Sequence, residues 1–303
     1  MTRSGRMTLS TRTAAFVAYC AAVALIHARA LSGLYEYSQA NASASHVVLI
    51  PLVTLVLVYQ RKDEIFSKVS WGWPAGLAAV ACGVALSVAG LALQTAARPE
   101  DQLAPWVAAI VAYWIAGFLM FFGQAAARVA LFPLFFLIFT VPLPSVVLDG
   151  LTRVLKVGST EVVAGLFALT GTPVSREGFV FTLPNLAIEI ADECSGIRST
   201  IALTLTGLLA GYQFLTRGWT KLALALAIIP VTVIKNGIRI VALTLLSIHV
   251  DPGYLTGQLH REGGIAFFLL ALGLLAIVLM ALRAAEGRRL LVGVPPGPVS
   301  DSP

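Results

Sequence analysis

Charge is scarce in this chain: Asp, Glu, Lys and Arg make up 12% of its 303 residues, while 58% are hydrophobic. Soluble domains carry about a quarter charged residues, so an ordinary water-soluble fold is excluded. Cysteine is nearly absent. Cys20, Cys82 and Cys194 stand far apart, which excludes a disulfide framework and any Cys-x-x-Cys metal spacing. The four histidines, His27, His46, His249 and His260, lack paired ligand spacing, so neither a metal nor a cofactor is expected. No basic run is interleaved with aromatics, which argues against nucleic acid despite a net charge of +6.

What the chain has instead is long apolar runs. Hydropathy places spans near 14–33, 46–60, 74–94, 105–123, 127–147, 198–216, 222–248 and 264–283. The expected fold is an all-α polytopic membrane protein with about eight transmembrane helices. One membrane-embedded domain covers 1–285, and a Pro/Gly-containing cytoplasmic tail covers 286–303. Arg3, Arg6 and Arg12 before the first run superficially resemble a secretory signal, but membrane segments continue along the chain, and the run is read as an uncleaved first span.

Loop charges set the orientation. Arg3, Arg6, Arg12, Arg61, Lys62, Lys68, Arg128, Arg217, Lys221, Arg283, Arg288 and Arg289 fall on one side, predicted to be the cytoplasm, together with both termini. The opposite side holds most of the acids and the one long loop, about 148–197. In that loop Leu151, Val154, Leu155, Val162, Leu166 and Leu169 recur at helical spacing opposite Asp149, Arg153, Lys156 and Thr160, the pattern of an amphipathic helix lying in the interface. The stretches 179–183 and 186–190 flank Pro184-Asn185 as a β-hairpin would. Helix and hairpin together form a small extracytoplasmic cap that delivers the chain to Cys194.

Cys194 lies in Asp192-Glu193-Cys194-Ser195-Gly196-Ile197-Arg198, at the outer start of the sixth span. A thiol in a first helical turn feels the positive helix end, and Arg198, four residues on, supplies a nearby cation; both favour the thiolate. Arg239 falls about 15 Å inside the seventh span, a costly position that marks a functional or paired arginine. Lys235 and Asn236, four and three residues before it, share its general face. His260 opens the last span at the outer surface. A thiol nucleophile, a histidine that can protonate a leaving amine and a permanently charged donor for an oxyanion fit acyl transfer. Each also has a plain structural reading: a packed thiol, a loop histidine, an arginine paired with a carboxylate. His46 and Arg29 are read as interface anchors of helix ends.

These motifs, in this order, resemble the exosortase and archaeosortase family of prokaryotic membrane cysteine proteases over about residues 35 to 265. The resemblance is carried by Ser45-His46 before an apolar run, Pro142-Leu143-Pro144, Gly171-Thr172-Pro173, Glu177-Gly178, Glu193-Cys194-Ser195-Gly196-Ile197-Arg198, Asn236-Gly237-Ile238-Arg239 and His260-Arg261-Glu262-Gly263-Gly264. Val47 stands where family members commonly have glycine, and Gln39 to Ala44 looks extended. The resemblance implies Cys194 as nucleophile, Arg239 as transition-state stabiliser and His260 as acid/base residue, supported by Arg198, Asn236 and Glu193. It also implies a bacterial plasma membrane and, as partner, an exported protein substrate with a C-terminal sorting tail: a motif often containing Pro-Glu-Pro, an apolar helix and basic residues. The acceptor nucleophile is left open. Two rival readings share the spans: a transporter, and a non-catalytic subunit of an envelope polysaccharide export or assembly system.

Overall fold

In lipid an apolar segment can satisfy its backbone only by coiling into a helix or joining a closed barrel. The structure, a computed structural model describing residues 8–184, 186–192, 196–251, 253 and 264–292, is accordingly mostly helical. It divides into two compact units, Met1–Leu148 and Asp149–Pro303. The first holds α1 (Leu9–Ile26), α2 (Ala28–Ala40), α3 (Ile50–Gln60), α4 (Lys62–Ile65), α5 (Trp73–Ala92), α6 (Pro99–Val129) and α7 (Leu131–Phe136). Helix α8 (Ser145–Leu169) begins there and continues into the second unit. That unit adds β1 (Ser175–Glu177), β2 (Val180–Leu183), β3 (Leu186–Glu189), α9 (Ile197–Phe214), α10 (Gly218–His249) and α11 (Gly264–Val292).

Among the described residues five helices are long and apolar enough to cross a membrane: α1, α5, α6, α10 and the Ile265–Gly287 part of α11. A sixth is reached if Leu131–Thr140 and Ser145–Leu169 count as one broken span. Against the eight expected spans the differences have local causes. Stretch 46–60 forms an α-helix only from Ile50, where Pro51 fits the first turn, leaving 11 helical residues. Stretch 127–147 is divided among the end of α6, α7 and a 3-10 turn at Leu137–Thr140, before Pro142 and Pro144. Stretch 198–216 becomes α9, whose hydropathy is diluted by Arg198, Ser199, Thr200, Thr204 and Thr206. Helix α11 runs on to Val292, into the segment assigned to the tail, and 293–303 lie outside the described residues.

Helix α6 is the centre of the first unit: 56% of its span is buried, against 6% for α1 and 17% for α5. Helix α5 packs on it through Gly76, Gly83 and Gly90, seven residues apart, which face Met120, Tyr113 and Trp106, also seven apart. Small residues set against large ones are how helices approach closely in lipid, where no hydrophobic drive acts between them. A Cβ on Gly83 would stand 2.5 Å from the Tyr113 ring. Gly83→Val is therefore expected to cost about 1–3 kcal/mol through overpacking, read as a lower melting temperature in detergent, whereas Val84→Ala on the exposed side leaves it nearly unchanged.

Near its end α6 breaks at Gly123, whose φ of +84° frees the preceding carbonyls. Three are taken up in turn. The Gly72 amide donates to Met120 O at 3.2 Å, Arg12 Nη1 to Phe121 O at 2.9 Å and the Ser70 amide to Phe122 O at 3.2 Å. Arg12, which the sequence presents as one of several basic loop residues, thus also closes a helix break, with its guanidinium 4.4 Å from the Trp71 ring centre. Where α2 meets the start of α6, burial and then the Glu100 carboxylate push the Tyr37 phenol up to about 12.

In the second unit α10 packs against α9 and α11 around Leu203, Leu224, Ile228, Ala271 and Leu275. Its inward face carries Thr220, Thr232, Lys235, Asn236, Thr244 and Ser247, while Leu222, Leu226, Ile229 and Ile234 point outward. Polar inside and apolar outside is the membrane arrangement. Helix α8 keeps the predicted faces in part, with Asp149 and Arg153 exposed and Leu155 buried. Thr160, assigned to the polar side, is fully buried with Leu155, Ser159, Val163 and Phe167, whereas Val154 and Leu169 are exposed. The sheet is antiparallel in the order β1-β2-β3, with Phe181 paired to both Arg176 and Ile188. It packs through Phe181 and Leu183 on Val163 and Phe167 of α8 and Val241 of α10. Strand β1 has no apolar alternation to announce it; Arg176 holds it to α8 by a two-point ion pair with Glu161.

The turn between α9 and α10 is capped from a distance. The Glu286 carboxylate of α11 accepts from the Thr216 and Arg217 amides and from the hydroxyls of Thr216 and Thr220, at 2.5–3.2 Å. One carboxylate therefore satisfies the amides at the start of α10, which have no partner within the helix itself. Glu286→Ala is expected to lower the melting temperature clearly, and Glu286→Gln, which keeps one acceptor oxygen, by less; equal melting for all three proteins would refute the capping role.

Candidate active site

Helix α9 begins immediately after Gly196, which adopts φ +80°, ψ 17°, a left-handed conformation that glycine tolerates without cost. The space there also favours glycine. A Cβ would lie 3.3 Å from Asn236 Oδ1 and 3.4 Å from Lys235 Nζ, so the backbone is seated on two adjacent residues of α10. The seat is held by hydrogen bonds. Lys235 Nζ donates to Ser199 Oγ at 2.7 Å, and Ser199 Oγ and Thr200 Oγ1 donate to Gly196 O at 2.8 and 2.9 Å. Behind it, Asn236 Nδ2 donates to Ser159 Oγ of α8 at 3.0 Å, between two fully buried side chains.

The close crossing of α8 and α10 makes that last bond possible. Gly237 leaves room for Val162, and Gly158 for Val233, whose Cγ2 would stand 3.0 Å from an added Cβ. Lys235 is only 3% exposed although it lies midway along a membrane-crossing helix. Burying an ammonium costs several kcal/mol unless its protons are accepted, so the Ser199 hydroxyl is part of what lets Lys235 occupy that place. Arg239, one turn further along α10, is half-buried.

The structure therefore brings Gly196, Ser199, Lys235 and Asn236 together, within one turn of Arg239 along α10. Of the residues predicted to do chemistry, Arg239 and Asn236 lie on α10 as expected, and Arg198 is exposed in the first turn of α9. Cys194, Glu193 and His260 lie outside the described residues. Ser159 and Ser199 were not foreseen: a serine in a helix carries no signal until its partner is known. Lys235 was legible as a charge inside an apolar run. Among the described residues no group of histidine, cysteine and acidic side chains could hold a metal ion. The two other cysteines differ, with Cys20 partly buried and Cys82 exposed on α5.

No curated protein and no solved structure matches the chain significantly. The profile of the transmembrane exosortase family does match, over residues 38–277, which takes in α3 to α10, the Gly196 seat, Arg239 and the first part of α11. With that match covering most of its length, the chain belongs to the transmembrane exosortase family of membrane proteases and transpeptidases.

Proposed function

We propose that this protein is a cysteine-type exosortase that cleaves the C-terminal sorting tail of exported proteins at the outer face of a bacterial plasma membrane. In this reading both termini are cytoplasmic, eight segments cross the bilayer, and the sheet with α8 forms a cap on the outer side. The thiolate of Cys194 attacks the carbonyl carbon of the scissile bond. Arg239 stabilises the oxyanion, and His260 gives its proton to the leaving amine as the C–N bond breaks. The acyl-enzyme then loses its acyl group to water or to an acceptor amine. Glu193, Arg198 and Asn236 support the site, with Asn236 fixing α10 against Ser159.

The observation that supports this reading best is the seat of Gly196 on Lys235 and Asn236. Gly196 follows Cys194 by two residues in sequence, and Arg239 follows Lys235 by four, so the start of α9 is held within one turn of Arg239 along α10. The transporter reading draws on the buried Lys235, but the hydrogen bond to Ser199 gives that lysine a local role and opens no path. The test is co-expression with a tagged secreted protein bearing a Pro-Glu-Pro motif, an apolar helix and a basic end. A shortened product with wild type and none with Cys194→Ala supports the reading. Equal processing by both proteins overturns it.

A further inference from the structure

Three membrane-crossing helices of the first unit have ends close together: α1 stops at Ile26, α5 at Ala92, and α6 begins at Pro99. Between those ends lies a cavity of about 460 Å³, lined among others by His27, Arg29, Gln94, Gln102 and Trp106. Ends of spanning helices mark the bilayer interface, so the cavity sits at headgroup depth. Its floor is firm. Trp106 is packed over Gly90, and the His27 ring, its Nδ1 bonded to Val23 O, stands beside Trp106 and Tyr113.

The cavity has a net positive lining. Among the described residues the Arg29 guanidinium has no ion-pair or hydrogen-bond partner; ion pairs are made instead by Arg61, Arg98, Lys156 and Arg176. Gln94 brings a neutral amide donor, Gln102 Nε2 keeps one N–H beyond the one it gives to Ala96 O at 2.6 Å, and among the described residues no acidic side chain lines the space. With its one charged group a guanidinium, it is suited to an anion. Beside it the surface turns apolar at once, with Leu25 76%, Ile26 79% and Leu91 58% exposed on the faces of α1 and α5. A free phosphate would make no use of that surface. The acyl chains of a lipid would cover it.

We propose that this cavity binds the phosphate headgroup of an anionic phospholipid, with Arg29 as the charged donor, Gln94 and Gln102 as neutral donors, and the acyl chains laid along Leu25, Ile26 and Leu91. The site is built from residues of the first unit alone and does not depend on the proposed chemistry. Arg29 is exposed, so its replacement leaves packing intact.

The test uses the full-length protein, stripped of lipid in detergent, and reads its melting temperature as dioleoyl-phosphatidylglycerol, dioleoyl-phosphatidylcholine or inorganic phosphate is added. Phosphatidylglycerol is expected to raise the wild-type melting temperature, with half-saturation about tenfold higher for Arg29→Ala and largely recovered in Arg29→Lys. Gln94→Leu should move half-saturation the same way by less. Equal half-saturation for wild type and Arg29→Ala, or phosphatidylcholine as effective as phosphatidylglycerol, overturns the site. Inorganic phosphate reproducing the full effect overturns the lipid as its occupant, and no response of the wild type to any addition overturns both.

Discussion

Cys194→Ala is expected to reduce tail cleavage by about 10⁴-fold or more, below detection in a co-expression assay, with the protein present in the membrane at its normal level. The size of the effect follows from covalent catalysis. Without a nucleophile the remaining groups can only stabilise charge around an attacking water, and in nucleophile-dependent hydrolases such remnants retain a small fraction of the rate. Cys194→Ser should be nearly as inactive, because a serine hydroxyl ionises far less readily than a thiol and needs a base tuned to it. The seat of the neighbouring backbone is made by Gly196, Ser199, Lys235 and Asn236, so losing the thiol leaves those bonds in place. An uncleaved substrate with a normally folded enzyme identifies Cys194 as the nucleophile. A Cys194→Ala protein that still trims the tail would sink the thiol mechanism and favour an assembly or transport role.

Membrane character, the helical class and the family could be read from the chain because each rests on long-range pattern: uncharged runs, and motifs in fixed order. Span boundaries were harder, since breaks are decided by partners. Gly123 looks like any small residue in an apolar run until the amides of Ser70 and Gly72 and the side chain of Arg12 arrive to take the freed carbonyls. The inward face of α8 was read only in part for a related reason, since Asp149 and Arg153 are exposed and Leu155 is buried as expected. Amphipathic periodicity tells that one side differs from the other, but beside lipid the polar Ser159 and Thr160 turn toward protein and Val154 and Leu169 turn away. Arg239 and Asn236 announced themselves as polar groups in an apolar span. Ser159 and Ser199 could not, because a serine acquires its role only from the donor that reaches it, here Asn236 and Lys235.

Arg239→Lys tests what that arginine does better than removal, since it keeps the charge and changes the geometry. A guanidinium presents a planar fork of donors that can hold an oxyanion at two points, whereas an ammonium is a compact point charge on a flexible stem. If Arg239 stabilises the tetrahedral oxyanion, both Arg239→Lys and Arg239→Ala should lose about 10²–10³-fold in turnover, with substrate association little affected, because the interaction strengthens only as the charge develops. Lys235, one turn away on α10, should not substitute, since its Nζ is engaged by the Ser199 hydroxyl and its side chain is buried. Melting temperature separates this from a structural pair: a merely structural arginine lets Arg239→Lys keep near-normal turnover while Arg239→Ala melts early. Wild-type turnover in Arg239→Lys would remove Arg239 from the chemistry, leaving Cys194 and His260 in need of another oxyanion donor.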